Sequence, residues 1–387
     1  PLRRGIAAGA LSLEVDAEGP GDLSRLEARA RLAADGLVLR GARLAAEPVG
    51  PLDLGASGTA AVDVRRGRAT FAGDVVSLAD ALRVGVEAEA SLAPGVPFSL
   101  ALRARGVDYR AAVAALPAAL APPQAAPRPA GTLDAALDAS GPLLRPAEWT
   151  ISASLDLSRL REAGRAEPPV ELRGPFVHRA RAARGEVRVA VGPANPDFVP
   201  LAALPAHVVR AVTTSEDAGF FGHQGFDVGE LRNAFAEAAE AGRLGRGGST
   251  ITQQLAKNLY LDGERTLARK VREAAVAIAL EATLPKARIL EIYVNVVEWG
   301  PGVRGIGAAA RHWFGKDARD LSPREAAFLA SILPSPVRSH AMYARGEPSP
   351  AWYDRVDALL LKMGEQGALS EDELERALEQ PIVFARG

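Results

Sequence analysis

The sequence predicts an α+β protein of several domains, in which an antiparallel β-rich region precedes a mainly α-helical region. Two observations carry this prediction. Apolar residues alternate with a period of two before residue 160, whereas after residue 200 they recur at helical spacing. The two parts also differ in composition, because all five lysines lie after residue 250. With 387 residues, of which 48% are hydrophobic, the chain can bury a sizeable core.

The N-terminal region has the pattern of half-buried strands. Residues 10–112 alternate in segments such as LSLEVDAEG, which are bounded by Gly, Pro and Asp. A helix is predicted within 107–121, followed by a Pro-rich loop at 121–131. Strands resume in GTLDAALDASG and at 149–158, so we expect a β-rich domain over 1–175.

The region after residue 200 has the pattern of amphipathic helices. Helices are predicted at 227–242, at 249–261 and at 266–284, the last of which ends before Pro285. The segment RGEPSP marks a break before a C-terminal helical tail. These patterns predict three consecutive domains: 1–175, 176–345 and 346–387.

Composition excludes several classes of function. A net charge of −1 argues against a nucleic-acid partner held by bulk charge. The chain has no cysteine, which excludes disulfides, thiolate zinc sites and cysteine nucleophiles. Its histidines are scattered and form no metal-binding motif such as HExxH. No uninterrupted apolar stretch approaches the length of about 20 residues that a membrane-spanning helix needs.

The first candidate site is the segment SEDAGFFGHQGFD, which places Glu216 and Asp217 beside two phenylalanines. Apolar surroundings disfavour the charged form of a carboxyl group and raise its pKa toward a range useful for acid–base catalysis. The alternative is a helix end with two solvated acids. His223 is interpreted as a structural residue that bonds to backbone in a Gly-rich turn.

The second candidate site is the segment GRGGSTITQQLAKNL. A helix that starts after Gly247 and Gly248 would offer free N–H groups and a positive dipole end to an anion such as a phosphate. The alternative is a capped helix with a polar, exposed face. The side chains that could bind a sugar phosphate here are Ser249, Thr250, Gln253, Gln254 and Lys257.

The third candidate site is the predicted helix ERTLARKVREAAVAIALE. Arg265, Arg269, Arg272 and Glu273 are spaced by four, three and one, which puts them roughly on one helix face. Such a cluster can clamp a pyrophosphate. The alternative is a solvated amphipathic helix with ordinary ion pairs.

The three segments appear in the order seen in a known family. EDAGFFGHQGFD, GGSTITQQLAKNLYL, RTLARKVREA, KARILEIYVNVVEWGPGVRGIGAAARHWFGK and LSPREAAFLASILPSP resemble glycosyltransferase family 51 over about residues 196–340. These are the peptidoglycan glycosyltransferases of penicillin-binding proteins and of their monofunctional relatives. The resemblance implies a lysozyme-like, mainly helical domain that polymerises lipid II into glycan strands and releases undecaprenyl pyrophosphate.

The resemblance also implies roles for individual residues. Glu216 would be the general base that takes the proton of the acceptor 4-hydroxyl, and Glu273 would act in the donor site. A divalent cation such as Mg²⁺ is implied, with Asp217 and Glu273 as candidate ligands, and no organic cofactor. Arg272 departs from the family, which often has Lys there. The residues that match substrate-binding positions are Asp217, Ser249, Thr250, Gln253, Gln254, Lys257, Arg265, Arg269 and Arg272.

The same resemblance implies partners and a location. Lipid II, the nascent glycan strand, the membrane surface and cell-wall synthesis proteins are expected partners, and nucleic acid is not. The expected location is the periplasmic face of the bacterial inner membrane, with an anchor before Pro1. The transpeptidase motifs SxxK and KTG are absent, which indicates a monofunctional enzyme.

Two questions stay open at the level of sequence. The segment GTLDAALDASG is similar to repeats of AsmA-like envelope proteins, but a generic β-rich accessory domain would have the same pattern. The helical region could also belong to a lysozyme-like lytic enzyme that cuts glycan, although such an enzyme would not need the basic cluster. A third possibility for the whole protein, besides a glycosyltransferase and a lytic enzyme, is a non-catalytic envelope scaffold.

Overall fold

The computed structural model describes residues 5–22, 24–77, 79–161, 171–182, 185–229, 248–261, 263–264 and 266–385. The predicted order, with an antiparallel sheet first and helices afterwards, is confirmed. The chain forms two compact units that interleave along the sequence. The β unit comprises Pro1–Ala166, Asp227–Gly248 and Leu261–Thr283, and the helical unit comprises Glu167–Phe226, Ser249–Tyr260 and Leu284–Gly387. The division into three consecutive domains stays a prediction.

The β unit is built on one antiparallel sheet in which each strand pairs with the next in the sequence, from β1 to β8, and β9 pairs with β7. A short helix, α1 (Tyr109–Ala114), follows the sixth strand, and the Asp108 carboxylate caps it by accepting the N–H of Ala111. The strands are β1 (Ile6–Glu18), β2 (Arg25–Leu39), β3 (Val49–Asp63), β4 (Arg68–Ser77), β5 (Leu82–Ser91), β6 (Pro97–Asp108), β7 (Ala130–Pro142), β8 (Thr150–Asp156) and β9 (Leu160–Arg161).

The register of this sheet turns the alternation of the sequence into two chemically different faces. Side chains of successive residues point to opposite faces, so a cross-strand row shares one face. One row crosses all eight strands with apolar residues only: Leu13, Leu32, Ala56, Val75, Val84, Ala104, Ala135 and Leu155. The neighbouring row, on the other face, is mainly polar: Glu14, Arg31, Ser57, Asp74, Gly85, Arg103, Ala136 and Ser154.

Helices dominate the chain after residue 200, preceded by a hairpin of β10 (Phe176–Ala182) and β11 (Gly185–Val191) and interrupted by a small one of β12 (Glu298–Gly300) and β13 (Val303–Arg304). The long helix Leu267–Thr283 belongs to the β unit. The helices are α2 (Ala206–Glu216), α3 (Ile251–Tyr260), α4 (Leu267–Thr283), α5 (Lys286–Val296), α6 (Ile306–Phe314), α7 (Pro323–Ile332), α8 (Pro336–Ser339), α9 (Ala341–Arg345), α10 (Pro350–Glu365) and α11 (Glu371–Glu379).

The core of the helical unit is aromatic. Trp299, Trp313 and Phe328 are fully buried. The indole N–H of Trp313 donates to the carbonyl of Trp299 at 2.8 Å, which satisfies the only polar atom of that side chain. Asn295 on α5 bonds to both backbone groups of Val199, at 2.9 and 3.0 Å. This pair of bonds fixes the segment that leads into α2.

Most sequence-predicted elements are confirmed. The helix expected within 107–121 is the shorter α1, because Pro117 follows soon after it, and residues 121–129 form a loop without helix or strand. The helices expected at 249–261 and 266–284 are α3 and α4. The helix predicted at 227–242 lies almost entirely outside the described residues. Among the described residues, no helix combines the length and hydropathy needed to cross a membrane.

Candidate active site

Glu216 is the last residue of α2 and accepts hydrogen bonds from two neutral donors of the described chain. The helix ends there because Asp217 leaves the helical conformation, with φ −168° and ψ 78°. The amide nitrogen Nε2 of Gln254 on α3 donates to Glu216 Oε2 at 2.9 Å, and the Ser215 hydroxyl lies 3.4 Å from Oε1. The Glu216 side chain is partly buried. The sequence predicted this carboxylate, and the structure brings it together with Gln254.

The surroundings of Glu216 raise its proton affinity. Burial raises the pKa of Glu216 above its usual range, since the charged form loses hydration. The hydrogen bonds from Gln254 and Ser215, and the positive charges of Lys257 and Arg355, act in the opposite direction but do not cancel the effect of burial on the pKa. A carboxylate with an increased proton affinity can accept a proton from a hydroxyl group more readily than an exposed one.

A tyrosine that the sequence analysis missed orients Gln254. The hydroxyl of Tyr293 on α5 donates to Gln254 Oε1 at 2.9 Å, and Tyr293 is 1% exposed. Burial, followed by the charges of Glu216 and Asp217, raises the pKa of Tyr293 well above its usual range, so this hydroxyl stays a donor. Because the amide oxygen is taken, the amide NH₂ group must face Glu216. The available signal was a hydroxyl within an apolar helix, which needs a partner when buried.

Asp217 accepts hydrogen bonds from other groups of the chain. Its Oδ1 accepts from His223 Nε2 at 2.8 Å, and its Oδ2 accepts the backbone N–H of Ile251, the first residue of α3, at 2.9 Å. The N–H of Gly225 donates to His223 Nδ1, which places the ring proton on Nε2. The sequence left open whether this helix N-terminus binds an external anion or is capped by the chain. At the Ile251 N–H the cap is internal, because the Asp217 carboxylate accepts its hydrogen bond.

Two further predicted binding residues form the start of α3. The N–H of Thr250 donates to Gln253 Oε1, and the N–H of Gln253 donates to Thr250 Oγ1, each at 3.2 Å. This reciprocal arrangement is a capping box, and both residues are buried. Ser249 is partly buried and Lys257 is exposed. Among the polar residues of this segment, Gln254 is the one that donates a hydrogen bond to Glu216 in the described part of the chain. A role of the other residues in binding glycan stays a prediction.

Helix α4 carries a second buried carboxylate, and cations surround it. Glu273 has a side chain that is 3% exposed, and it is ion-paired with both Arg269 and Lys270. Arg272 lies 3.3 Å from the carboxylate of Glu264. The Nε atoms of Arg269 and Arg272 are buried and have no hydrogen-bond partner among the described residues. Arg265, the remaining predicted basic residue of this segment, lies outside the described residues.

The residues expected to hold a divalent cation already bond to groups of the chain. Both oxygens of Asp217 accept hydrogen bonds from the chain, and both oxygens of Glu273 accept from cationic side chains. A hard cation such as Mg²⁺ binds carboxylates with available oxygen lone pairs, and neighbouring positive charges oppose its binding. No catalytic step is therefore assigned to a metal ion at these residues, and a requirement for one stays a prediction.

Comparison with known proteins agrees with these features. Residues 185–364 match the family model described as Transglycosylase. The chain is similar to the biosynthetic peptidoglycan transglycosylase of Nitrobacter winogradskyi, with 49% identity over 150 residues, 38% of this chain and 66% of that protein. It is also similar to the biosynthetic peptidoglycan transglycosylase of Herminiimonas arsenicoxydans, with 43% identity over 167 residues, 43% of this chain and 71% of that protein.

The chain belongs to the transglycosylase family. It spans 53 to 66% of the length of three other biosynthetic peptidoglycan transglycosylases that it matches. Among solved structures, penicillin-binding protein 1A from Haemophilus influenzae is similar with a TM-score of 0.28 and 18% identity, covering 55% of this chain and 22% of that one. A likeness of that size does not bear on the fold.

Proposed function

We propose that this protein is a peptidoglycan glycosyltransferase that polymerises lipid II into glycan strands and releases undecaprenyl pyrophosphate. The observation that carries the proposal is the environment of Glu216. It is a partly buried carboxylate, held by the neutral amide of Gln254, with an ammonium group on the next turn of α3. Membership in the transglycosylase family supports the choice of substrate.

In the proposed reaction, the oxygen of the acceptor 4-hydroxyl attacks the anomeric carbon of the donor sugar. Glu216 takes the hydroxyl proton, the bond between the anomeric carbon and the diphosphate oxygen breaks, and the diphosphate leaves with the bonding electron pair. The raised pKa of Glu216 suits it to this step, since a stronger base takes the proton earlier along the reaction.

The leaving diphosphate develops negative charge, which positively charged groups stabilise. Helix α4 offers Arg269 and Arg272, whose buried Nε atoms have no partner among the described residues. Guanidinium groups bind phosphate oxygens through charge-assisted hydrogen bonds. Lys257, exposed on α3, supplies a further cation. A hydrolase of neutral glycan would not need these groups, which is why the polymerising activity is favoured over the lytic one.

The natural setting of this reaction is the bacterial cell envelope. We propose that the protein acts at the periplasmic face of the inner membrane, where lipid II is held by its undecaprenyl chain. The membrane surface, the nascent glycan strand and cell-wall synthesis proteins are the proposed partners. A divalent cation that accompanies the diphosphate is compatible with the proposal.

The test is polymerisation of labelled lipid II by the full chain in detergent with Mg²⁺, beside Glu216→Gln. We expect glycan polymer from the wild type and a loss of about 10³-fold with the substitution, the size typical of a general base. The matched control is Glu325→Gln on α7. Glu325 is also buried; Gln can keep its capping bond to the Ser322 N–H but loses the ion pair with Lys316, so this variant tests the loss of a buried carboxylate away from Glu216 and should still form polymer.

Three results would contradict the proposal. Digestion of preformed glycan without polymerisation would make the protein a lytic enzyme. Neither activity, in a folded chain, would make it a scaffold. Polymer formation by Glu216→Gln at the rate of the wild type would leave the activity in place and remove Glu216 as the base.

A further inference from the structure

The N-terminal β region supplies hydrogen-bond partners to the first turn of α4. The first four N–H groups of a helix have no partner within the helix. In α4, the N–H of Leu267 donates to the carbonyl of Arg43 at 3.0 Å, and the N–H of Ala268 donates to the carbonyl of Leu44 at 2.8 Å. Both carbonyls belong to the turn between β2 and β3, so a loop of the sheet caps this helix.

The remaining N–H groups of that turn are satisfied locally. Those of Arg269 and Lys270 point to Thr266, at 3.2 Å from its hydroxyl and 3.3 Å from its carbonyl. Ala45 and Val49, at the end of the same loop, are buried against the first turn of α4. All four donors are thereby accounted for, and two of them depend on the N-terminal region.

A second group of residues from the β region holds the C-terminal half of α4. Tyr109 is 3% exposed, and its hydroxyl donates to the carbonyl of Ala275 at 3.0 Å, across 166 positions of sequence. Leu157, directly after β8, and Leu160, on β9, belong with Ala279 to one buried cluster. The helix is therefore held at its start and along its second half, by residues far apart in the sequence.

Helix α4 has a stripe of alanines and, beside it, a group of charged residues. Ala268, Ala275 and Ala279 are spaced by seven and four, which places them on one stripe, and this stripe contacts the β region. Arg269 follows Ala268 and is turned by about 100° from it, and it pairs with Glu273 one turn later. The charged pair therefore lies to one side of the alanine stripe, and its position depends on the contacts that the stripe makes.

We propose that the N-terminal β region acts through α4: it holds this helix and so orients Arg269, Lys270 and Glu273, with Tyr109 as the positioning residue. The role of these three residues in donor binding rests on the proposed glycosyltransferase function, whereas the contacts that hold α4 are independent of it. The region is then more than a spacer or docking surface. Changes in the sheet far from any substrate alter donor binding through the orientation of one helix.

The test is amide hydrogen exchange of α4 in the full chain, with two variants and a matched control. Leu160→Ala removes packing against α4, and Tyr109→Phe removes only the hydroxyl. Leu102→Ala is the control, since Leu102 lies on β6 of the same sheet but belongs to neither buried cluster with α4. We expect exchange in α4 to accelerate about tenfold or more with Leu160→Ala and about fivefold with Tyr109→Phe.

The control decides whether the effect is specific. Leu102→Ala should accelerate exchange in the sheet and leave α4 as in the wild type. In lipid II polymerisation, both test variants should raise KM more than they lower kcat, which a general loss of stability would not do. Equal exchange of α4 in wild type and both variants, or equal acceleration in the control, would overturn the proposal. A wild type that makes no polymer would defeat the proposed function, while the exchange data still decide the anchoring.

Discussion

Glu216 is partly buried and Glu273 is buried, but the groups that contact the two carboxylates differ in charge. Glu216 accepts hydrogen bonds from an amide and a hydroxyl, and its positive neighbours act from a distance. Glu273 is in direct contact with a guanidinium and an ammonium group. Neutral donors do not neutralise the charge of a carboxylate, whereas direct contact with two cations does. The two carboxylates therefore differ in whether the chain already compensates their charge.

The helices that carry the two carboxylates also differ in their support. The start of α3 is built by residues of the helical unit, with Asp217 and the Thr250–Gln253 capping box satisfying its N–H groups. The start of α4 is capped by a loop of the N-terminal sheet. The family motif on α4 is therefore maintained by a region that lies outside the family match at residues 185–364.

We expect the largest change in the free energy of unfolding from Arg269→Met. The substitution removes the less exposed of the two cations, 14% exposed against 45% for Lys270, and leaves the buried carboxylate with one partner. Breaking a buried ion pair on one side costs about 3 kcal/mol, so the free energy of unfolding should fall by about that amount in a urea titration.

Lys270→Met is the matched control for that measurement. Because Lys270 is largely solvated, its loss should lower the free energy of unfolding by about 1 kcal/mol or less. An equal loss of unfolding free energy in the two variants would contradict this expectation, because the burial of Arg269 would then make no difference.

A smaller effect is expected from Tyr293→Phe, which removes the hydroxyl that orients Gln254. Without it the amide can turn away, and the ionised form of Glu216 loses a donor. The pKa of Glu216 then rises further. Since the base must be ionised, activity is lost as pH falls through this pKa, and the acidic limb of kcat/KM should move up by about one pH unit.

The matched control for Tyr293→Phe is Tyr109→Phe, which also removes one buried hydroxyl but lies in the β unit. Its acidic limb should coincide with that of the wild type. A second check is Tyr293→Phe in the Gln254→Ala background, where the shift should disappear because the two residues act as one unit. A full shift in that background would show that Tyr293 does not act through Gln254.

Local patterns in the sequence were enough for the elements and for part of the site. The two-residue alternation predicted the strands of the sheet, and the segments around Glu216 and Gln254 identified the residues that meet at 2.9 Å. In both cases the information lies within a few residues, in periodicity or in the chemistry of a short motif.

The parts that were missed depend on contacts between distant segments. Tyr293 lies within an apolar helix, where a tyrosine is typical of a core, and its partner is 39 positions away. The hydrogen bond from the Ile251 N–H to Asp217 joins residues 34 positions apart, and nothing in the segment around Asp217 indicates it. A role of Asp217 in binding substrate or metal stays a prediction. The capping of α4 by the turn after β2 joins residues more than 200 positions apart, which no periodicity encodes.

The central claim is that Glu216 is a general base whose proton affinity is raised by burial. The most direct test is the dependence of kcat/KM for lipid II on pH, for the wild type and Glu216→Gln. We predict a single acidic limb for the wild type with its midpoint above 4.5, the ordinary value of a glutamate pKa, and no such limb in the residual activity of Glu216→Gln. A midpoint at or below 4.5, or the same limb in the variant, would contradict the account.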